Sequence, residues 1–304
     1  MRGAGNERPP RLSGHGDKAS VSSNSSQLCD AKDQTSFGKR RGQTFTCDIV
    51  SDVSTQGTVL TETSTIPSTN FTIAQGTGTI VELGNEVPYT GVLDNFSKFE
   101  VQPIVEKTLK NDCKKALDQQ AYNQFNNTLL RACAAGAGTS STSVTIFTNG
   151  TVTGTANQAL NNNHVKSLID AMKERNIPPY IGDDYVAVAH PSTWRTLKNN
   201  LESLHQYTDK GLTMILNGEI GRYESTRFIE QTNIAKAGWT NTNQAFFCGE
   251  DTVAEGIAVP EEIRGKIPTD YGRSKGVAWY YLGGFALVAQ TQLQSRIVKW
   301  DSNS

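Results

Sequence analysis

The chain has 304 residues, a formal net charge of -1 and 36% hydrophobic residues. That length accommodates a sizeable core in one large domain or two ordinary ones, and the near-neutral balance excludes a general nucleic-acid binder. The hydrophobic fraction is low for a compact domain, so the chain either carries long polar extensions or buries apolar surface against other chains.

Residues 1–41 show no helical or strand period and read as a flexible arm. Arg2, Arg8, Arg11, Lys18, Lys32, Lys39, Arg40 and Arg41 stand against Glu7, Asp17, Asp30 and Asp33, a local excess of positive charge. The cluster Lys39-Arg40-Arg41 could touch a phosphate backbone, but a solvated or partner-facing arm is the better reading. In residues 42–90, Phe45, Cys47 and Ile49 alternate with Thr44, Thr46 and Asp48, the period of a strand. Phe71 and Ile73 alternate again, and Ile80, Val81 and Leu83 follow a Ser/Thr/Gly stretch at 58–70 with almost nothing apolar. This pattern predicts a two-stranded ribbon with a polar tip. Such a hairpin is barely stable alone, so its support is expected from another chain.

Residues 97–133 read as one long helix, with Ser97 and Glu100 as a capping box and Pro103 either in the first turn or at a kink. Val101, Val105, Leu109, Cys113, Leu117, Ala121, Phe125 and Leu129 recur every four residues, a stripe that drifts around the helix. A polar strand region follows at 143–160. A second amphipathic helix then carries Val165, Leu168, Ile169 and Met172 on one face. Asp184–Ala189 has the small-residue look of a central strand, closed by His190-Pro191-Ser192, with a helix through Trp194, Leu197 and Leu201 beyond it. Residues 228–232 and 244–248 read as strands, 277–292 as a strand or a pair broken by Gly283-Gly284, and Trp300 lies in a final short strand. The class is mixed α+β without strict βαβ units.

The chemistry-bearing residues form no recognisable catalytic set. His15, His164, His190 and His205 show no metal-ligand spacing; His190, at a strand end, is the best placed and reads as a turn or cap residue. There is no nucleophile elbow, P-loop or dinucleotide fingerprint. Asp183-Asp184 and Glu250-Asp251 are adjacent carboxylates, which point to opposite faces of a strand and make poor acid/base pairs. Trp279, Tyr280 and Tyr281 could stack on bases but fit an aromatic strand beneath a helix better. Cys29, Cys47, Cys113, Cys133 and Cys248 are scattered and read as free thiols. No apolar run near the N-terminus suggests a secretion signal, and none elsewhere reaches membrane-spanning length. No catalytic residue, cofactor, metal or membrane contact is therefore expected.

The order of these elements over about residues 38–300 resembles the Hong Kong 97-type coat-protein fold of tailed phages, within it the major capsid family of N4-like phages. The resemblance rests on Gly42-Gln43-Thr44-Phe45, on Leu60-Thr61-Glu62 at the loop tip, and on Val81–Tyr89 leading into Asp94–Glu106. It rests most on Asp184–Leu197 (DYVAVAHPSTWRTL), with Gly221-Arg222-Tyr223, Arg227–Glu230, Ala245–Asp251, Gly256-Ile257-Ala258, Tyr271-Gly272-Arg273 and Val277–Tyr280 in order behind it.

The resemblance implies an N-arm (1–41), an extended loop (42–90), a peripheral domain with its spine helix (91–160, returning at 271–304) and an axial domain (161–270). It also implies a structural role without catalysis. Pentamers and hexamers of the chain would form an icosahedral virion shell around dsDNA, contacted non-specifically, with scaffold, portal and decoration proteins as possible partners. Assembly would take place in the bacterial host cytoplasm. An encapsulin-like nanocompartment shell shares the fold and is the nearest alternative. A phage tail or adhesin protein would be mostly β, against the helix at 97–133, and an enzyme would need His190 or a carboxylate to be essential.

Overall fold

Two sheets joined by one long helix organise the chain. The computed structural model describes residues 32–35, 43–50, 57, 59–63, 65–71, 73–136, 138–153, 156–205, 221–234, 244–267, 270–271 and 273–302. The first elements are β1 (Lys32–Thr35), β2 (Thr44–Val50), β3 (Ile73–Thr79), β4 (Val81–Thr90), α1 (Gly91–Phe96), α2 (Val101–Asn126), β5 (Leu130–Ala134) and β6 (Val144–Phe147). They are followed by α3 (Asn162–Glu174), β7 (Tyr185–Ala189), α4 (Arg195–His205), β8 (Arg222–Tyr223), β9 (Thr226–Glu230), β10 (Ala245–Cys248), β11 (Val253–Gly265), β12 (Ser274–Leu287) and β13 (Ile297–Trp300).

The larger sheet has the order β6-β5-β13-β10-β7-β9-β8. Its central strands are covered on both faces, so they lose the usual apolar/polar alternation and become continuously apolar. Every residue of β7 and of β10 is buried. One face packs against α3 and α4 through Val165, Leu168, Ile169, Met172, Trp194 and Leu197. The opposite face, with Val186, Val188, Phe246 and Ile297, meets Phe125 at the end of α2. The face predicted for α3 and the central position predicted for β7 are therefore present.

The smaller sheet has the order β1-β11-β12-β4. Its strand β1 lies within the segment read as an arm and adds in parallel to β11; the rest of that arm, the Lys39-Arg40-Arg41 cluster and His15 included, lies outside the described residues. Trp279 and Tyr281 of β12 pack beneath α2 with Val105, Leu109 and Cys113, the arrangement expected of the aromatic strand.

The long helix is shorter than its sequence suggested, and the physical reasons are local. Ser97 ends α1 as its C-cap, its N–H bonded to the Leu93 carbonyl, and Glu100 is the N-cap of α2 without a side-chain cap bond. The predicted capping box therefore belongs to two different helix ends. Pro103 occupies the first turn of α2, where its missing N–H has no intrahelical partner to lose. At the other end, residues 130–133 leave the helix to form β5, because Leu130 and Ala132 are drawn into the core of the larger sheet beside β13.

The apolar stripe explains why one helix serves two sheets. A four-residue step overshoots a full turn by about 40°. The four steps from Leu109 to Phe125 thus rotate the stripe by roughly 160°. Leu109 faces the smaller sheet and Phe125 the larger one. Polar contacts repeat the division: Asp112 accepts from Trp279 Nε1 and Asn85 Nδ2, each at 2.9 Å, in the smaller sheet. Asp118 accepts from Asn233 Nδ2 at 3.0 Å, and Tyr122 donates to Gln244 Oε1 at 2.6 Å, on the larger-sheet side.

Candidate functional site

Strands β2 and β3 form a separate two-stranded sheet, paired from Thr44↔Thr79 to Val50↔Ile73. The sequence reading placed this whole ribbon beyond any core of its own chain, and the structure corrects that at the base. Phe45, Cys47 and Ile49 point to one face and are buried against Ala254, Ala286 and Val288 of the β11–β12 region. The partner surface lies some 200 positions later in the chain, out of reach of local periodicity. Strand β4, also assigned to the ribbon, instead pairs along its whole length with β12 in the smaller sheet.

Glycine makes this crossing possible. A Cβ on Gly284 would stand 2.1 Å from the Thr79 carbonyl oxygen, and one on Gly78 would stand 2.4 Å from the Phe45 ring. Gly283-Gly284 accordingly does not break the strand: β12 runs unbroken through both, with the ribbon backbone lying against Gly284 and the Tyr281 hydroxyl and Gly256 carbonyl crowding Gly283. Between the ribbon base and α2 is a cleft of about 250 Å³ lined by Thr77, Thr79, Gln120 and Gln124.

All described positions from 57 to 71 are exposed, including Val59 (96%), Ile66 (73%) and Phe71 (62%). A second exposed apolar group comprises Val92, Leu93 and Phe96 of α1 with Phe99 and Ile104 at the start of α2. The β11–β12 turn, with Ile267 and Tyr271 exposed, adjoins it: Gly91 N–H donates to the Arg273 carbonyl, and Lys275 Nζ reaches Asp94 Oδ2 at 2.7 Å. Clustered exposed apolar side chains mark surfaces that other molecules cover.

Several of the residues weighed for chemistry are engaged in structural contacts. His164 is fully buried at the N-terminus of α3: its Nδ1 accepts from the Asn161 N–H while Asn161 Oδ1 accepts from the His164 N–H. This is a capping box with histidine in the usual Glu/Gln place. Its ring stacks on Trp300 at 4.9 Å, and burial lowers its pKa despite opposing hydrogen bonds to the Gly138 and Ala159 backbone. His190 Nδ1 lies 2.7 Å from Ser192 Oγ, in the turn before α4. His205 ends α4.

Asp184 is buried beside Arg222 Nη2 at 2.6 Å and Arg227 Nε at 3.0 Å. Burial acts to raise its pKa, but the hydrogen bonds and charges of the two arginines prevail and hold the carboxyl below its ordinary range. Its neighbour Asp183 is exposed. Glu250-Asp251 forms the corner between β10 and β11, with Arg296 Nη1 on the Glu250 carbonyl at 3.2 Å. Cys47, Cys113, Cys133 and Cys248 are buried and in no disulfide, and burial, reinforced by Glu261 and Asp112, pushes the Cys113 thiol up to about 11. Cys29 lies outside the described residues. Among the described residues no group of three His, Cys, Asp or Glu side chains is arranged to hold a metal, and no helix is long and apolar enough to cross a membrane.

A long helix spanning two sheets, with a ribbon projecting from one of them, defines a Hong Kong 97-type coat-protein fold, and solved structures share it. The capsid of cyanophage P-SCSP1u is 12% identical, with 90% of this chain and 87% of that chain covered at a TM-score of 0.65. The capsid of Ralstonia phage GP4 is 12% identical, covering 90% and 86% at 0.63, and that of cyanophage Pam1 is 14% identical, covering 90% and 88% at 0.61. No curated protein sequence matches the chain. Residues 102–293 match the sequence profile of the family described as phage capsid protein. The chain belongs to this family, and it is a structural protein of a phage capsid.

Proposed function

We propose that this is the major capsid protein of a tailed phage related to the N4-like group, assembling through pentamers and hexamers into an icosahedral head around packaged dsDNA. The observation that carries self-assembly is the ribbon, whose base is anchored within the chain and whose tip exposes Val59, Leu60, Ile66 and Phe71. A closed shell requires one sequence to meet near-equivalent neighbours in different settings. A ribbon fixed at one end can bend between those settings while its root stays in register. Domain names follow the sheets in this reading: the smaller sheet with the first part of α2 is peripheral, and the larger sheet with α3 and α4 is axial, so β5 and β6 go with the axial unit. The role is structural and needs no catalytic residue. Scaffold, portal and decoration proteins act as partners during assembly in the host cytoplasm, and the basic N-terminal segment meets DNA phosphates or a neighbouring copy.

Negative-stain electron microscopy and size-exclusion chromatography of the protein expressed with and without its neighbouring phage head genes test this reading. Closed polyhedral shells, or hexamers and pentamers, are the expected result. A fibre or a discrete trimer under both conditions contradicts it.

A further inference from the structure

We propose that Lys107, Lys110, Lys114 and Lys115 of α2 form one face that binds the phosphate backbone of duplex DNA. Helical geometry brings them together. At about 100° per residue, the four lie within an arc of roughly 140° centred opposite Leu109. Leu109, with Val105 and Cys113, is buried against Trp279 and Tyr281 of the smaller sheet, so the lysine arc is turned away from that sheet. Lys107, Lys110 and Lys115 are exposed, and Lys114 is half-buried.

No carboxylate among the described residues stands within ion-pair distance of any of the four. The neighbouring acids of α2 are bound elsewhere. Gln102 Nε2 donates to Glu106 Oε1 at 2.8 Å, Trp279 Nε1 and Asn85 Nδ2 donate to Asp112 Oδ2, and Asn233 Nδ2 donates to Asp118 Oδ2. Lys110 follows Lys107 by one helical turn and Lys114 follows Lys110 by another, spacings at which like charges repel. All four lie more than a turn from either end of α2, where the helix dipole offsets nothing. A face that serves only solubility alternates its charges and pairs them along the helix. This one carries a single sign, and an anionic partner removes the repulsion.

The composition of the face selects the partner. The exposed positions from 107 to 115 are Lys107, Thr108, Lys110, Asn111 and Lys115, and no large apolar side chain is exposed among them. A protein partner would need an apolar or aromatic centre, whereas a phosphate backbone needs only charge. From Lys107 to Lys115 the helix rises about 12 Å, and one duplex strand carries a phosphate about every 3.4 Å, so charges and phosphates match in number. The chain as a whole has a net charge of -1, so the attraction is local to this face and independent of base sequence. The choice of DNA rests on the capsid reading above; the lysine face does not.

The test is fluorescence anisotropy of a short labelled DNA duplex of mixed sequence, titrated with the soluble full chain at rising salt. Four neutralised phosphates contribute about −3.6 to the slope of log affinity against log salt. The chain carrying Lys107→Gln, Lys110→Gln, Lys114→Gln and Lys115→Gln together should lose that contribution with an unchanged circular dichroism spectrum. Lys107→Gln and Lys115→Gln alone, at exposed positions, should each lower the slope by about 0.9. The same differences should persist when Lys39→Gln, Arg40→Gln and Arg41→Gln are present in every chain. Equal slopes for the parent and the lysine variants, or no duplex binding at the lowest salt, overturn the proposal. Tighter binding of polyglutamate than of the duplex at equal salt also overturns it, in favour of an acidic protein. Shell formation is scored separately by electron microscopy: its absence in the parent chain with its neighbouring head proteins contradicts the capsid reading and leaves the duplex measurement standing.

Discussion

The larger sheet and the ribbon use their strands in opposite ways. Strand β7 buries all five of its residues between two layers of helix, whereas β2 buries every second residue and presents Thr44, Thr46, Asp48 and Val50 to solvent. Further out, the described positions from 57 to 71 are all exposed. The sheet therefore carries the chain's own stability, and the ribbon carries apolar surface whose burial awaits another molecule. Substitutions in the two regions should separate folding from assembly.

The largest expected effect lies in the sheet region. Trp194 is fully buried, meets Phe228 edge-on at 5.1 Å and donates its Nε1–H to the Ile229 carbonyl. Trp194→Ala should destabilise the chain by about 3–5 kcal/mol, read by denaturant unfolding, and a loss below about 1 kcal/mol would deny the larger sheet its dominant role. At the junction of the two regions, Gly284→Ala forces a methyl group against the Thr79 carbonyl oxygen. A cost of about 1–3 kcal/mol is expected, with increased protease cleavage at the ribbon base before global unfolding.

A smaller effect should follow pH. His164 is buried and neutral, accepting at Nδ1, so its folded pKa lies below the ordinary 6.5. The unfolded chain then binds a proton before the folded one does, and stability falls with falling pH. The contribution is complete above 6.5 and is lost as pH drops from there to the lowered folded value. Thermal unfolding at about pH 7.5 and about pH 5 should show this loss, and His164→Gln should flatten the difference. The smallest effect on folding is expected at the tip. Val59→Ser and Phe71→Ser should change stability by no more than about 0.5 kcal/mol, while sharply reducing the yield of assembled particles in sedimentation.

The parts legible in the sequence were those set by local periodicity. The α3 face, the apolar run of β7 and the aromatic stretch at Trp279 each encode their neighbours' geometry within a few residues. What escaped depended on distant chain. Nothing near Phe45 announces that its ring rests on residues from β11 and β12, and nothing near Gly283-Gly284 announces a crossing backbone. His164 completes a capping box that the sequence pattern for Glu or Gln does not recognise. The drift of the four-residue stripe in α2 was visible, and its meaning, two packing surfaces on one helix, required the sheets themselves.

The most direct test of the central claim is to delete residues 55–70 and follow both folding and particle formation. The account predicts a chain with near-normal denaturant unfolding and circular dichroism that forms no closed shells by electron microscopy under conditions where the intact chain does. Normal shells from the shortened chain would contradict it.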